Sequence, residues 1–388
     1  GNWLPMQPET RLIHTRGERL SSKTVNPPVE HASTVLFDDA KALYAASPGY
    51  GRMGLTVHRE LEAALCGLEN ASQVRLTTNG LQACALAIAS QVSAGDHVLL
   101  TDSAYGPTAR FCERRLRKMG VETSRFDPRI GRGIADLLQP NTAAIYLESP
   151  GSLTFEISDT PAIAAVAKER GVRTILDNTW GGGLHHKPLD LGIDISVQAL
   201  TKYAVGHADA FAGAIMTRDA GVGRAVAETS DDWGISLSPD DAYTTLRGLR
   251  SLKTRLKAHE AAGLEVANWL ATRPEVADVL HPALPSHPDH AIWKRDFSGS
   301  CGLFSVILNP VPEGGLDRFF AAMELYSMGF SWGGFESLII PCDEQLKRSP
   351  GDWTEDRAGP LLRLHIGLEA PGDLIADLEA GFRAMAEA

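Results

Sequence analysis

Apolar positions in this chain come in two spacings, short unbroken runs and longer stretches with helical periodicity. His97-Val98-Leu99-Leu100-Thr101 reads as a strand, and Gly106 and Pro107 end it. A basic amphipathic helix follows, with Arg110, Arg114, Arg115, Arg117 and Lys118. Thr142 to Leu147 predicts a second strand, ending at Glu148-Ser149-Pro150-Gly151, and Pro161 to Arg170 a helix. Val172 to Leu176 predicts a strand that ends at Asp177, Ile195 to Leu200 one that ends near Lys202, and Phe211 to Thr217 one more. Strands alternating with helices in this way predict an α/β fold with a mainly parallel sheet, covered on both faces.

The pattern loosens after Arg250. A long helix containing Val266, Trp269 and Leu270 stops before Arg273-Pro274, and strand-like runs follow at Leu303 to Leu308 and Leu361 to Ile366. The last segment puts Leu374, Leu378, Phe382 and Met385 on one helical face, with Asp373 as its predicted N-cap. This predicts a smaller α/β domain over residues 249–388, beside a larger one over 54–248. Residues 1–53 hold Asn26-Pro27-Pro28 and Ser47-Pro48-Gly49 with little periodicity, so they read as an arm that gains order by packing on something else.

Composition narrows the class of partner. The net charge is −11, which argues against nucleic acid or an anionic membrane as the main partner. Five cysteines, widely spaced and without a C-x-x-C pair, predict neither a disulfide framework nor a structural zinc site and fit a reducing, cytoplasmic setting. Gly1 to His14 has no apolar core of a secretory signal, and no apolar run approaches the ~20 residues of a membrane span.

Two motif matches lack their context. Gly49-Tyr-Gly-Arg-Met-Gly54 fits G-x-G-x-x-G, but Ala45-Ala46-Ser47-Pro48 before it is no strand. Gly329-Phe-Ser-Trp-Gly333 fits the nucleophile elbow of a serine hydrolase, yet Gly333-Gly334 and Pro341 make a poor helix start after Ser331. With His365 as a downstream base, that hydrolase remains the alternative from another chemical class.

Polar residues of complementary type stand at three strand ends, where ligands bind in an open parallel sheet. They are Asp177, Lys202 and Tyr105. A lysine to bond an aldehyde, an acid to pair with a ring nitrogen and an aromatic to stack are what pyridoxal 5'-phosphate requires. Asp177-Asn178-Thr179-Trp180, Thr201-Lys202-Tyr203 with Gly206-His207-Ala208-Asp209, and Tyr50-Gly51-Arg52 resemble the pyridoxal-phosphate enzymes of cysteine and methionine metabolism. The resemblance runs from about Thr10 to Phe382 and implies an aspartate-aminotransferase-like (fold type I) cofactor domain.

Within that family, Ser331 to Ser337 and Arg363 to Glu369 resemble the bacterial β-lyases that act on cystathionine. Trp332 stands where synthases and γ-lyases more usually have leucine, and Pro107 where methionine γ-lyases have cysteine. The resemblance implies β-elimination of L-cystathionine to homocysteine, pyruvate and ammonia, with cystine, djenkolate or selenocysteine derivatives open as further substrates. A γ-lyase, γ-synthase or sulfhydrylase of the same family is the alternative.

Carried over by residue, the resemblance makes Lys202 the cofactor's covalent partner and the general base, and Asp177 the partner of its ring nitrogen. Tyr105 stacks on the ring, Gly80 and Leu81 offer backbone N–H groups to the phosphate, and Thr201 adds a hydroxyl. Tyr50 and Arg52 reach the phosphate of a neighbouring subunit, which implies a homo-oligomer, a tetramer built as a dimer of dimers. Arg363 clamps the substrate carboxylate, while Ser331 and Trp332 line the pocket. Three positions depart from the family pattern: Ala199 replaces a phosphate-binding serine, Asn79-Gly80-Leu81 replaces Ser-Gly-Met, and Ala208 replaces a frequent serine.

Overall fold

The structure, a computed structural model, describes residues 6–14, 24–45, 49–348 and 357–387. Ser47 and Pro48 of the predicted arm lie outside the described residues. The arm carries two short helices, α1 (Pro8–Ile13) and α2 (Ala40–Ala45), and α3 (Thr56–Glu69) opens the larger layer.

Seven strands form the main sheet: β1 (Gln73–Thr77), β2 (His97–Thr101), β3 (Glu122–Phe126), β4 (Thr142–Glu148), β5 (Arg173–Asp177), β6 (Ile195–Ala199) and β7 (Gly213–Thr217). Their spatial order is β1-β7-β6-β5-β4-β2-β3, and only β7 runs against its neighbours. Alternation within the apolar runs feeds both faces, because successive side chains point to opposite sides of a strand. Val98, Leu100, Ala144, Tyr146 and Ile175 meet Ala83 and Leu86 of α4 (Gly80–Ala89). Leu99, Ile145, Leu147 and Leu176 project the other way.

The basic helix begins as α5 (Gly106–Arg110) and runs directly into a π-helical turn at Phe111–Leu116. On the opposite face of the sheet, α6 (Thr160–Arg170) packs Ile163 and Ala167 against β4 and β5. Helices α7 (Ala220–Asp232) and α8 (Pro239–Arg250) then lead to the long α9 (Leu252–Ala271).

The second sheet is antiparallel throughout, in the order β10-β11-β9-β8, with β8 (Val276–Leu280), β9 (Leu303–Leu308), β10 (Leu338–Pro341) and β11 (Leu361–His365). Between these strands lie α10 (His290–Asp296) and α11 (Gly315–Ala322), and α12 (Pro371–Ala386) ends the described chain. Val266, Leu270, Phe319, Leu374, Leu378 and Phe382 from α9, α11 and α12 bury one face of this sheet with Phe304, Val306 and Leu364.

One expectation is corrected here. Asp373 does not cap α12; the helix starts two residues earlier at Pro371, whose fixed φ suits the first helical position, and Ala370 stands at the N-cap without a side-chain bond. Asp373 sits instead in the first turn, where a negative charge favours the helix dipole.

Polar handles on buried groups join the two sheets. Trp180 donates its indole N–H to the Leu303 carbonyl at 3.0 Å, the Tyr203 hydroxyl accepts from Gly302 N–H at 3.0 Å, and Ser305 Oγ donates to the Leu153 carbonyl at 2.6 Å. Among the described residues, no helix is long and apolar enough to cross a membrane.

Candidate active site

The carboxyl ends of β4, β5 and β6 converge on the junction between the sheets. Asp177 ends β5, and its Oδ1 accepts the Thr179 N–H at 3.0 Å and the Thr179 hydroxyl at 2.5 Å. Thr179 Oγ1 in turn accepts the Ala199 N–H at 3.0 Å, so the acid is tied to the end of the neighbouring strand β6. Cys84 of α4 brings its thiol to 3.7 Å from Asp177 Oδ2. Burial pushes the Asp177 carboxyl up, against the pull of the Thr179 bonds, the thiol and Lys202.

Lys202 follows β6, and its Nζ donates to Ser331 Oγ at 2.6 Å while lying 5.5 Å from the centre of the Trp332 ring. Desolvation first, and Arg363 second, push this amine down to about 8, with Asp177 pulling the other way. The loop that brings Ser331 and Trp332 here passes close over the lysine backbone. A Cβ at Gly333 would stand 2.8 Å from the Lys202 carbonyl carbon, and its φ of +88° also favours glycine. Arg363 of β11 donates to the Ser331 carbonyl at 3.3 Å.

Tyr105 stands at the N-cap of α5, 46% exposed as a residue, and its N–H donates to Glu148 Oε2 at 2.6 Å. Tyr105, Pro107, Arg110, Leu153 and Arg363 line a cavity of about 550 Å³. The sequence-derived residues Asp177, Lys202, Ser331, Trp332, Arg363 and Tyr105 therefore form one connected group.

Gly80 and Leu81 begin α4, where Asn79 Oδ1 accepts the Gln82 N–H at 2.8 Å and the Asn79 carbonyl accepts the Ala83 N–H at 3.2 Å. Among the described residues the N–H groups of Gly80 and Leu81 have no acceptor, which makes this helix start a ready anion cradle. The helix can come this near β6 only because residue 80 is glycine and residue 199 is small. A Cβ on Gly80 would stand 2.3 Å from the Ala199 Cβ. The Thr201 hydroxyl, expected on the phosphate, is engaged with Ala212; it accepts that residue's N–H at 3.1 Å and donates to its carbonyl at 3.3 Å.

Tyr50 and Arg52 stand apart from this group. Their surroundings are the arm itself: Tyr50 bridges to Thr34, and the Arg52 guanidinium lies 5.6 Å from the Tyr50 ring centre. Both are exposed.

The hydrolase alternative fails on geometry. Ser331 Oγ is paired with Lys202, no helix follows it, and His365 Nε2 is bonded to the Gly334 carbonyl at 2.9 Å. Burial pushes His365 down to about 3, so it remains neutral in a wall rather than serving the serine. The G-x-G-x-x-G match fails as well, since Gly51–Met53 is a single 3-10 turn, not the start of a helix, and among the described residues no strand leads into it.

Sequence reasoning missed Thr179, Cys84 and Glu148 as site residues. Thr179 carried a usable signal, since a hydroxyl two residues after an acid can bond back to it. Cys84 carried none, because only the packing of α4 on the sheet brings it to β5.

The site therefore offers a desolvated amine, a buried acid, a tyrosine ring on the cavity and an anion cradle, a set of groups that suits pyridoxal phosphate. Comparison with known proteins agrees. Cystathionine β-lyase of Salmonella typhimurium is 42% identical, with 97% of this chain and 98% of that protein covered. Cystathionine β-lyase MetC of Escherichia coli is 43% identical, with 96% and 98% covered. The crystal structure of metB from Corynebacterium glutamicum superposes with a TM-score of 0.91 at 28% identity, covering 98% of each chain. The model of the Cys/Met metabolism PLP-dependent enzymes matches residues 9–383, and the chain belongs to that family.

Proposed function

We propose that this enzyme catalyses β-elimination from L-cystathionine, with water, to homocysteine, pyruvate and ammonia. The observation that carries the reading is the Lys202 amine, held by Ser331 at 2.6 Å, 5.5 Å from the Trp332 ring centre, with burial bringing it down to about 8. Identities of 42% and 43% to proteins named cystathionine β-lyase favour this bond over the γ-carbon alternatives.

In this reading Lys202 would bond the cofactor, Asp177 would face its ring nitrogen, Tyr105 would stack on its ring, and Gly80, Leu81 and Thr201 would hold its phosphate. When bound, pyridoxal phosphate supplies an electron sink that acidifies the α-proton of an amino acid. Arg363 binds the substrate carboxylate through paired N–H groups and so fixes which bond at the α-carbon faces Lys202. Lys202 Nζ takes the α-proton and delivers it to the departing sulfur. Ser331 orients Nζ between those two positions, and Trp332 keeps water from the amine. Asp177, tied through Thr179 to β6, keeps a negative charge fixed where a cation must be held.

The chain is also proposed to work as a homo-oligomer, a tetramer of two catalytic dimers, in the cytoplasm. Residues 1–53 would reach a neighbouring subunit, 54–248 would bind the cofactor, and 249–388 would close over it. The arm leaves Leu36 and Tyr44 89% and 88% exposed, and Tyr50 and Arg52 are exposed as well. A second copy would cover the former and use the latter.

The deciding experiment is product identity from L-cystathionine with purified protein. Expected are a visible absorption band that borohydride abolishes, an adduct mapping to Lys202, and pyruvate with homocysteine. A protein that stays colourless with added pyridoxal phosphate overturns the whole reading, whereas dominant 2-oxobutyrate overturns only the choice of bond. Full activity in a monomer, measured by sedimentation and dilution, overturns the shared site.

A further inference from the structure

Glu148 ends β4 as Asp177 ends β5, and the two are direct register partners in the parallel pair. Partners on adjacent strands lie roughly 5 Å apart and project to the same face of the sheet. Two carboxyl groups thus share one side of the sheet's carboxyl edge. Glu148 also holds the Tyr105 backbone, through the 2.6 Å bond to Oε2.

The surroundings of the pair are mixed in charge. Lys202 faces Asp177, the Cys84 thiol approaches it from α4, and Thr179 bonds it from the following loop. Tyr146 of β4 lies buried beside both acids. Glu148 faces Glu156 and Arg348 on its other side, and these are paired with each other at 3.3 Å. Glu156 thereby takes up much of the Arg348 guanidinium that would otherwise balance Glu148. Burial pushes both carboxyls up, and Asp177 is the next cause for Glu148. Like-charged acids so placed make each other's ionisation harder, so the pair holds on to a proton more readily than either acid would alone.

We propose that Glu148 is a further residue of the cofactor site, which shares one proton with Asp177 in the cofactor-free enzyme, surrenders it when the cofactor binds, and anchors the Tyr105 backbone throughout. The inference rests on the reading of Asp177 as the ring-nitrogen partner. The balance is simple. A carboxyl O–H bond breaks, a ring N–H bond forms, and both acids are left ionised against the cation they have made. The proton comes from the protein, not from the solvent.

The test counts protons during binding of pyridoxal phosphate to cofactor-free enzyme, by titration calorimetry near neutral pH in buffers of different ionisation enthalpy. Glu148→Gln keeps an acceptor for the Tyr105 N–H but cannot hold the shared proton. Its Asp177 stands ionised opposite Lys202 before binding, so the variant should take up about one proton more per cofactor than the parent. Glu148→Ala should show the same extra proton and, with the Tyr105 N–H left without an acceptor, bind the cofactor about tenfold more weakly than Glu148→Gln. Equal proton counts in parent and variants overturn the shared proton, and equal affinities of the two variants overturn the anchoring. A parent enzyme that binds no pyridoxal phosphate overturns the functional reading beneath both.

Discussion

Asp177 and Arg363 are the fixed charges of the site, and the chain holds them in opposite ways. Asp177 ends a strand paired on both sides, its Oδ1 takes two bonds from Thr179, and Thr179 is bonded onward to β6. Arg363 also lies on a central strand, but among the described residues its guanidinium makes a single hydrogen bond, a 3.3 Å contact to the Ser331 carbonyl. Ser331 belongs to a loop with φ of +75° at the serine itself, flanked by Phe330 at 80% exposure. The acid is built before any ligand arrives, while among the described residues the guanidinium keeps donors unspent. That contrast suits the proposed roles, a cofactor end whose geometry stays fixed and a substrate end that takes up and releases a carboxylate at every turnover.

The comparison can be broken by substitution. Asp177→Asn leaves the geometry but removes the charge, so kcat should fall on the order of 10³-fold, with the visible band shifted. Arg363→Ala should leave the band in place and lower kcat/KM about a hundredfold, the size expected for a lost charge-assisted contact. If both variants lose cofactor and substrate affinity alike, the division into two ends is wrong.

A pH experiment sharpens the same contrast, because the two charges act on Lys202 with opposite sign. In the cofactor-free enzyme the amine is half deprotonated at about 8, so its reaction with an amine-selective reagent should rise with pH and level off above that point. Arg363 is one cause of the depression, and Arg363→Ala should move the midpoint up. Asp177 opposes the depression, and Asp177→Asn should move it down. Midpoints that stay in place in both variants would show that burial alone sets the value, and midpoints that shift in the same direction would overturn the opposed roles of the two charges.

Legibility in the sequence followed position within each sheet. β2, β4, β5, β6 and β7 are visible as apolar runs because central strands are buried on both faces. The edge strands were missed in both sheets. β3 reads Glu-Thr-Ser-Arg-Phe, polar because one side of it meets solvent, and β1 reads Gln-Val-Arg-Leu-Thr. In the second sheet β9 and β11 were seen, while the edges β8 (Val-Ala-Asp-Val-Leu) and the four-residue β10 were not. The site was legible where chemistry coincides with a strand end, as at Asp177 and Lys202. It was illegible where a neighbouring element supplies the group, as Glu148 does for Tyr105.

Helix starts give the smallest and most local form of this lesson. Asn79 caps α4 in fact, with Oδ1 accepting the Gln82 N–H at 2.8 Å, and so holds open the turn that presents the N–H groups of Gly80 and Leu81. Asp373 was expected to cap α12 and instead lies in its first turn, where it can act only through the helix dipole. Asn79→Ala should therefore cost about 1 kcal/mol of stability and weaken cofactor binding as well, since the cradle frays. Asp373→Ala should cost about 0.3–1 kcal/mol, lose most of that difference in high salt, and leave cofactor binding untouched. Denaturant titrations at low and high salt separate the two, because a hydrogen-bonded cap persists where a dipole contact is screened. Equal, salt-independent losses would mean that Asp373 also makes a capping bond in solution and that α12 begins where the sequence pattern put it.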